Sequence, residues 1–208
     1  MELKYKTWKD ISVGLFKKLL NITDSNMDVV DSEIAILAIL CDCDEEDILN
    51  LSIPEYQKLR ASAQWIATRP SGKAFCPKSI KLDNQYDIVY DMSKLTTAQY
   101  IDFQSYIKMN DLNKYISHIL AIFFIPKGKK YGDVPPEEII ADIDKNLNIQ
   151  MAEDMCFFFT TEFMTLTKIT LHYLESKMKK MVKNNNNPEV KKKMEEIHSL
   201  INGIGYIK

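Results

Sequence analysis

The fold is decided by residues 112–124, which read LNKYISHILAIFF. Apolar side chains recur there at i, i+3, i+4, i+7, i+8, i+11 and i+12, beginning at Leu112 and ending at Phe124. This period places them on one wide face of an α-helix. Pro126 and Gly128 follow the segment and end the helix. We therefore predict that these residues form a core helix.

Helical signals continue on both sides of this segment. Upstream, residues 96–99 form a capping box, TTAQ, which opens a further helix. Downstream, the pair Pro135-Pro136 starts a short helix that reaches about residue 145. A long helical stretch then extends from about residue 149 to residue 182.

The apolar spacing in the first third of the chain predicts short helices. One amphipathic helix is expected at about residues 10–20, and a second at about 27–40. The second contains an uninterrupted apolar run, so we expect it to be buried. A capping box formed by Ser52 and Glu55 opens a helix that should reach about residue 67.

Strict alternation between these helical regions predicts one β-hairpin, over about residues 79–90. Apolar and aromatic residues flank Asp83-Asn84 at every second position: Ile80 and Leu82 before it, Tyr86, Ile88 and Tyr90 after it. Asp and Asn tolerate the positive φ that a tight hairpin turn requires.

The end of the chain predicts an αα-hairpin. A polar turn, NNNNP at residues 184–188, separates the long helix from a last helix at 189–201. The predicted fold is therefore mainly α: a multi-helix domain with one small β-hairpin and a C-terminal αα-hairpin. We place the helical domain with its inserted β-hairpin at residues 1–175, and a lysine-rich helical hairpin extension at 176–208.

The composition is typical of a globular protein with a hydrophobic core. Its 208 residues are 46% hydrophobic and 27% charged, and the formal net charge is −2. The longest apolar runs, about eight residues, are too short to span a bilayer. The four cysteines lack the dense spacing of a secreted disulfide framework, and the first residues do not resemble a signal peptide. We expect a soluble protein with reduced thiols, made and kept in the cytosol.

Two acidic motifs each lack a part that metal binding requires. The cluster at residues 42–47 begins like a calcium-binding loop, but Asp47 and Ile53 stand where such a loop has glycine and glutamate. Glu195 and His198 supply half of a di-iron motif, of which no second copy exists. We interpret the first as acids at a helix N-terminus and His198 as a surface residue.

The cysteines and glycines also fail to complete a reactive site. Cys41 and Cys43 have no further cysteine pair or nearby histidine with which to bind zinc. Cys156 precedes three phenylalanines, and such apolar surroundings suppress a thiol's nucleophilicity. No glycine-rich phosphate loop or serine nucleophile elbow occurs. We expect no enzymatic activity, no metal and no cofactor.

The strongest local charge is a group of lysines around the polar turn. Candidate contacts to an anionic partner are Lys179, Lys180, Lys191 and Lys192. Lysines can bind phosphates by counterion release, but no aromatic platforms are interleaved with them here. A solvated helical hairpin is the simplest interpretation, and an acidic protein partner is the next. The alternative function is a nucleic-acid-binding accessory or DNA-packaging protein that uses this hairpin.

Two neighbouring segments carry a family resemblance. Residues 94–104, KLTTAQYIDFQ, lead into residues 119–131, ILAIFFIPKGKKY. The pair resembles small proteins of tailed bacteriophages that infect Bacteroides-type hosts, including crAss-like phages. These proteins are described as tail assembly chaperone-like or as virion and neck components. The likeness covers roughly the first four-fifths of the chain, including WKDI at residues 8–11, and leaves out the lysine-rich end.

The resemblance implies a role in building or joining the phage particle. The chain would act in a ring or connector at the head–tail junction, or transiently as a tail assembly chaperone. The implied partners are portal, neck or tail proteins and further copies in a homo-oligomer or ring, in the host cytoplasm or in the virion. Because interfaces favour aromatic anchors, the candidate partner contacts are Trp8, Tyr100, Phe103, Tyr106 and Tyr131. We expect most of the aromatic residues to fill the core and the exposed minority to mark the partner face.

Overall fold

Helices make up most of the protein in the computed structural model. The structure describes residues 1–70, 72–109 and 111–184, without the side chains of residues 171, 175 and 178–184. The α-helices in this part of the chain are α1 Val13–Thr23, α2 Val29–Cys41, α3 Glu45–Leu49, α4 Ile53–Ser62, α5 Thr97–Lys108, α6 Ile116–Phe123, α7 Pro136–Asn146 and α8 Ile149–Asn184. The strands are β1 Ser79–Lys81, β2 Gln85–Ile88 and β3 Phe124–Pro126. The predicted fold class, mainly helical with a small hairpin, is confirmed.

The chain divides into two compact units, Met1–Phe158 and Phe159–Lys208. This division falls within α8, whereas the sequence predicts a boundary between residues 175 and 176. The first half of the predicted αα-hairpin is part of α8. The last predicted helix, at residues 189–201, lies outside the described residues.

The segment that decides the fold forms a shorter helix than its pattern predicts. Leu112 lies before α6 and is 39% exposed, so the predicted start of the helix is wrong. Phe124 leaves the helix at the other end and begins β3. Its strand pairing with Ile88 overrides the helical period. Between these limits the prediction of a core helix is confirmed, because nearly all of α6 is buried.

The three strands form one antiparallel sheet in the order β1-β2-β3. The predicted hairpin is present, with Ile80 opposite Tyr86, and β3 is an addition that the sequence pattern did not predict. The outer edge of β3 has few groups left for a further strand. The Phe124 amide donates to the Leu120 carbonyl, Pro126 has no N–H, and the Pro126 carbonyl accepts a bond from the Lys129 amide at 2.9 Å.

Both predicted capping boxes are present at their helix starts. Ser52 and Glu55 cap α4, which ends at Ser62, and the residues up to Ala67 continue as a 3-10 helix rather than as the predicted α-helix. Thr96 and Gln99 cap α5. Gln99 is buried, and its amide Nε2 also donates to the Ile122 carbonyl at 2.7 Å. It therefore satisfies one of the carbonyls that the end of α6 leaves free.

The second predicted helix is only partly buried. α2 buries Ile34, Leu37 and Leu40, as its apolar run predicts. Val29 and Val30, in its first turn, are 79% and 56% exposed. The prediction that this helix is buried is therefore wrong for its first turn.

A close approach of α1 to α7 depends on Gly14. A Cβ atom at this position would lie 2.8 Å from the Asp144 carbonyl oxygen, which is closer than real Cβ contacts. Lys17, one turn later, binds both carboxylate oxygens of Asp144 at 2.9 Å. The absent side chain lets the two helices meet closely enough for this ion pair to form.

Candidate functional site

A pocket of about 350 Å³ lies in the first unit, among α5, α6, the segment 130–134 and α7. Its lining is mostly apolar, from Ala121, Ile122, Phe124, Ile125, Pro126, Val134, Pro136, Ile139 and Ile140. Polar side chains enter it from Asp102, Tyr106, His118, Lys130 and Tyr131. We call it the His118 pocket. Apolar walls with a few convergent polar groups are typical of binding sites, and this volume is at the lower end of their range.

His118, one of the residues that line this pocket, carries a buried polar atom without a partner. Its Nδ1 is buried and has no hydrogen-bond partner. Burial lowers the pKa of the imidazole from its ordinary 6.5, and the nearby Lys17 charge lowers this pKa further. His118 is therefore neutral at neutral pH, with one donor and one acceptor nitrogen. The Tyr106 ring lies 5.5 Å from the imidazole, centroid to centroid, and restricts its orientation.

A tyrosine–carboxylate bond holds the loop that forms one side of the pocket. The Tyr131 hydroxyl donates to the Asp102 carboxylate at 2.6 Å. Burial and this hydrogen bond raise the pKa of Tyr131, so the hydroxyl keeps its proton. Gly132 follows with φ +88°, a conformation that suits glycine, and turns the loop toward α7. The side chain at 131 therefore fastens the loop to α5.

Asp142 joins α7, which lines the pocket, to the β1–β2 hairpin of the sheet. This α7 carboxylate is 6% exposed. It accepts hydrogen bonds from the Asp83 amide at 3.1 Å, the Asn84 amide at 3.0 Å and the Tyr86 hydroxyl at 2.7 Å. Burial alone would raise the pKa of Asp142, but these bonds and one from Asn146 lower it to about 2. The hairpin turn is therefore fixed to α7 by a charged acceptor.

Two of the five predicted partner contacts, Tyr106 and Tyr131, line the His118 pocket. Tyr100 is 42% exposed on α5, outside this lining. Phe103 has no exposed surface and packs edge-to-face on Phe123, with ring centroids 5.1 Å apart. Phe103 is therefore a core residue in this structure, and its role as a partner contact stays a prediction.

Trp8, the fifth predicted contact, is half-buried in an aromatic cluster. Its ring meets those of Phe16 and Trp65 edge-to-face, at centroid distances of 5.8 and 5.1 Å. Its indole N–H donates to the Thr68 carbonyl at 2.6 Å. These contacts connect the N-terminal segment to the end of the 3-10 helix, which is a structural use of the side chain.

The predicted anionic-partner contacts lie outside what the structure describes. Lys191 and Lys192 are beyond the described residues, and for Lys179 and Lys180 only the helical backbone of α8 is given. Lys177, in the same lysine group, places its ammonium 5.5 Å from the centroid of the Tyr173 ring. That contact is a cation–π interaction within one helix turn.

One polar cluster that the sequence did not reveal resembles a serine–lysine pair. Lys17 Nζ donates to Ser117 Oγ and also binds Asp144. Ser117 has no exposed surface, and the Lys17 ammonium is shared between Ser117 and the ion pair with Asp144. In this arrangement the three side chains join α1, α6 and α7.

The cysteines are poorly disposed for nucleophilic chemistry. Cys41, Cys43 and Cys76 are free thiols, and burial raises the pKa of Cys41 to about 11 and that of Cys76 to about 12. Cys156 is buried, and burial raises its pKa as well. Each thiol therefore stays protonated at neutral pH, the reverse of an activated cysteine.

Three further features bear on the class of protein. Within the described ranges, no group of three His, Cys, Asp or Glu side chains is placed to hold a metal ion. In that same part of the chain, no helix is both long enough and apolar enough to cross a bilayer. No protein family model matches the chain, and neither does any curated protein or solved structure.

Proposed function

We propose that this chain is an assembly protein of a tailed bacteriophage, acting by protein–protein contacts at the tail or head–tail junction. The resemblance of residues 94–104 and 119–131 to phage tail and neck proteins suggests the class. The observation that supports a role in protein–protein contacts is the His118 pocket. Its lining is mostly apolar, and it includes the half-buried side chains of Tyr106, Tyr131 and Ile140. It would serve either a ring or connector component or a tail assembly chaperone.

The pocket suits an aromatic side chain that carries a hydrogen-bonding group. Its 350 Å³ accommodates such a ring, and burying a large apolar side chain contributes about 1.5–3 kcal/mol. The Asp102 carboxylate and the Tyr106 hydroxyl in the lining offer oxygen acceptors to a tyrosine hydroxyl or an indole N–H at the same time. We therefore propose that a loop or terminus of a portal, neck or tail protein inserts a tyrosine or tryptophan here.

Co-expression with the portal, neck and tail proteins encoded by the same genome tests this proposal. The substitution Ile140→Glu places a carboxylate in the pocket lining, whereas Ala141→Glu adds the same charge to the next residue of α7, which is exposed and outside the lining. Wild type and Ala141→Glu should co-purify with one of these proteins, and Ile140→Glu should lose that partner. Circular dichroism should show the same helix content in all three.

Mass spectrometry of purified virions then separates the two roles. A ring or connector component should be present in stoichiometric amount, and a chaperone should be lost from mature particles. The proposal fails if none of the encoded structural proteins binds the wild-type chain. If a complex forms and Ile140→Glu retains it, the pocket is not the contact. Salt-sensitive DNA retention without any protein partner would favour the nucleic-acid alternative instead.

A further inference from the structure

One face of the second half of α8 carries exposed apolar side chains. Leu166, Ile169 and Tyr173 are 37%, 61% and 58% exposed. Successive helix residues are about 100° apart, so these three lie within an arc of about 60°. Glu162 and Lys177 are exposed, and they extend this arc only to about 80°. We call these five residues the α8 face.

The α8 face is complementary to itself. An acid stands at one end, a base at the other, and apolar side chains lie between them. The midpoint between Glu162 and Lys177 is also the midpoint between Leu166 and Tyr173, because both pairs are centred between residues 169 and 170. A two-fold axis through this point would therefore match charge with opposite charge and apolar residue with apolar residue.

We propose that α8 pairs with α8 of a second copy of this chain, in antiparallel orientation, through the α8 face. Glu162 of each copy then lies level with Lys177 of the other, and the two Ile169 side chains meet near the axis. A parallel pair would place Glu162 against Glu162 and Lys177 against Lys177. Like charges at both ends disfavour that arrangement, so the charge pattern selects both the occupant and its direction.

This pairing is independent of the proposed function, since the α8 face and the His118 pocket share no residue. When two copies contact each other through the same surface, the assembly is complete as a dimer, and this contact alone does not build a ring. The face is small, as expected for a weak and reversible dimer. The dimer should therefore be visible as a concentration-dependent mass.

Sedimentation equilibrium of the full-length chain, over a concentration series, measures this association. Ile169→Glu places two carboxylates, one from each copy, close together near the two-fold axis. Because these like charges repel each other, the substitution should weaken dimerisation at least about tenfold. Met164→Glu is the matched control. Met164 is 43% exposed but lies roughly on the opposite side of the helix, so its substitution should leave the dissociation constant unchanged.

Charge exchange tests the direction of the pair. Glu162→Lys and Lys177→Glu should each weaken the dimer, and the double exchange should restore it to within about threefold of wild type. Single exchanges without effect would overturn the antiparallel arrangement. A mass that stays monomeric at every concentration would overturn the pairing itself. The latter result would point to the chain's own residues 185–208 as the cover of this face. If Met164→Glu weakened dimerisation as much as Ile169→Glu does, the pairing through the α8 face would also be overturned.

Discussion

Replacing Asp142 with asparagine should destabilise the first unit and change its response to acid. The substitution keeps the size of the side chain and removes its charge. The Tyr86 hydroxyl, buried with its residue only 1% exposed, would lose a charged acceptor. Hydrogen bonds to charged groups contribute about 1.5–3 kcal/mol each, and asparagine keeps one acceptor oxygen. We expect a loss of about 2–4 kcal/mol in the free energy of unfolding at neutral pH.

The acid response follows from the pKa of Asp142, which is about 2 in the folded chain against an ordinary 3.8. The unfolded chain therefore binds more protons between these values, and stability is lost as pH falls through them. A difference of about 1.8 pKa units corresponds to about 2.4 kcal/mol. This contribution is fully present above about pH 5 and is absent below about pH 2.

Urea denaturation of wild type and Asp142→Asn, from pH 7 down to pH 2.5, measures both effects. The two stabilities should converge as the pH falls, because only wild type has this carboxylate to protonate. Asp87→Asn is a matched control on the neighbouring strand β2, where the carboxyl is exposed. The interpretation is refuted if the difference between wild type and Asp142→Asn stays constant over the whole pH range.

Three further predictions concern the frame of the pocket. Gly14→Ala should cost about 1–3 kcal/mol, despite the better helix propensity of alanine, because its Cβ meets the Asp144 carbonyl; thermal denaturation measures this loss. Gln99→Leu should cost about 1–3 kcal/mol in urea denaturation, because it leaves the Ile122 carbonyl without its donor. The lowered pKa of His118 means that the unfolded state binds more protons below pH 6.5. Wild type should therefore lose stability as the pH falls below this value, and His118→Leu should lose less.

Each of these predictions has a result that contradicts it. An unchanged midpoint for Gly14→Ala would show that α1 and α7 can separate without cost. A Gln99→Leu variant as stable as Gln104→Leu, which changes a less buried amide on the same helix, would remove the capping role. Parallel pH profiles for wild type and His118→Leu between pH 7 and pH 5 would contradict the buried, neutral imidazole.

Local signals predict the helices well and their ends less well. Capping boxes act within a few residues, so the starts at Ser52 and Thr96 follow from the sequence alone. The end of α6 depends instead on a distant partner. Phe124 fits the helical pattern by spacing, but it pairs with Ile88, and no local period encodes that contact. The third strand was missed for the same reason.

The site itself is less accessible to sequence reasoning. Their aromatic character makes Tyr106 and Tyr131 candidate anchors, and both line the pocket, but the same criterion selects Phe103, which is core. Aromaticity does not separate the two environments. Asp142 had a usable signal: it stands between Ile139 and Ile143 on the apolar stripe of α7, where a carboxylate needs several donors. The unpaired nitrogen of His118 has no signature in the sequence, because it results from packing.

The outer edges of the sheet limit how this protein can join others. At β3, Pro126 and the bonds of Phe124 leave little main chain to extend, and β1 is a three-residue strand that carries Lys81. Edge strands that are short, charged or contain proline prevent the sheets of different molecules from associating edge to edge. At high protein concentration, that protection would keep the copies from polymerising into fibrils. Recognition is then left to the side chains of helices and loops, where single substitutions can tune it.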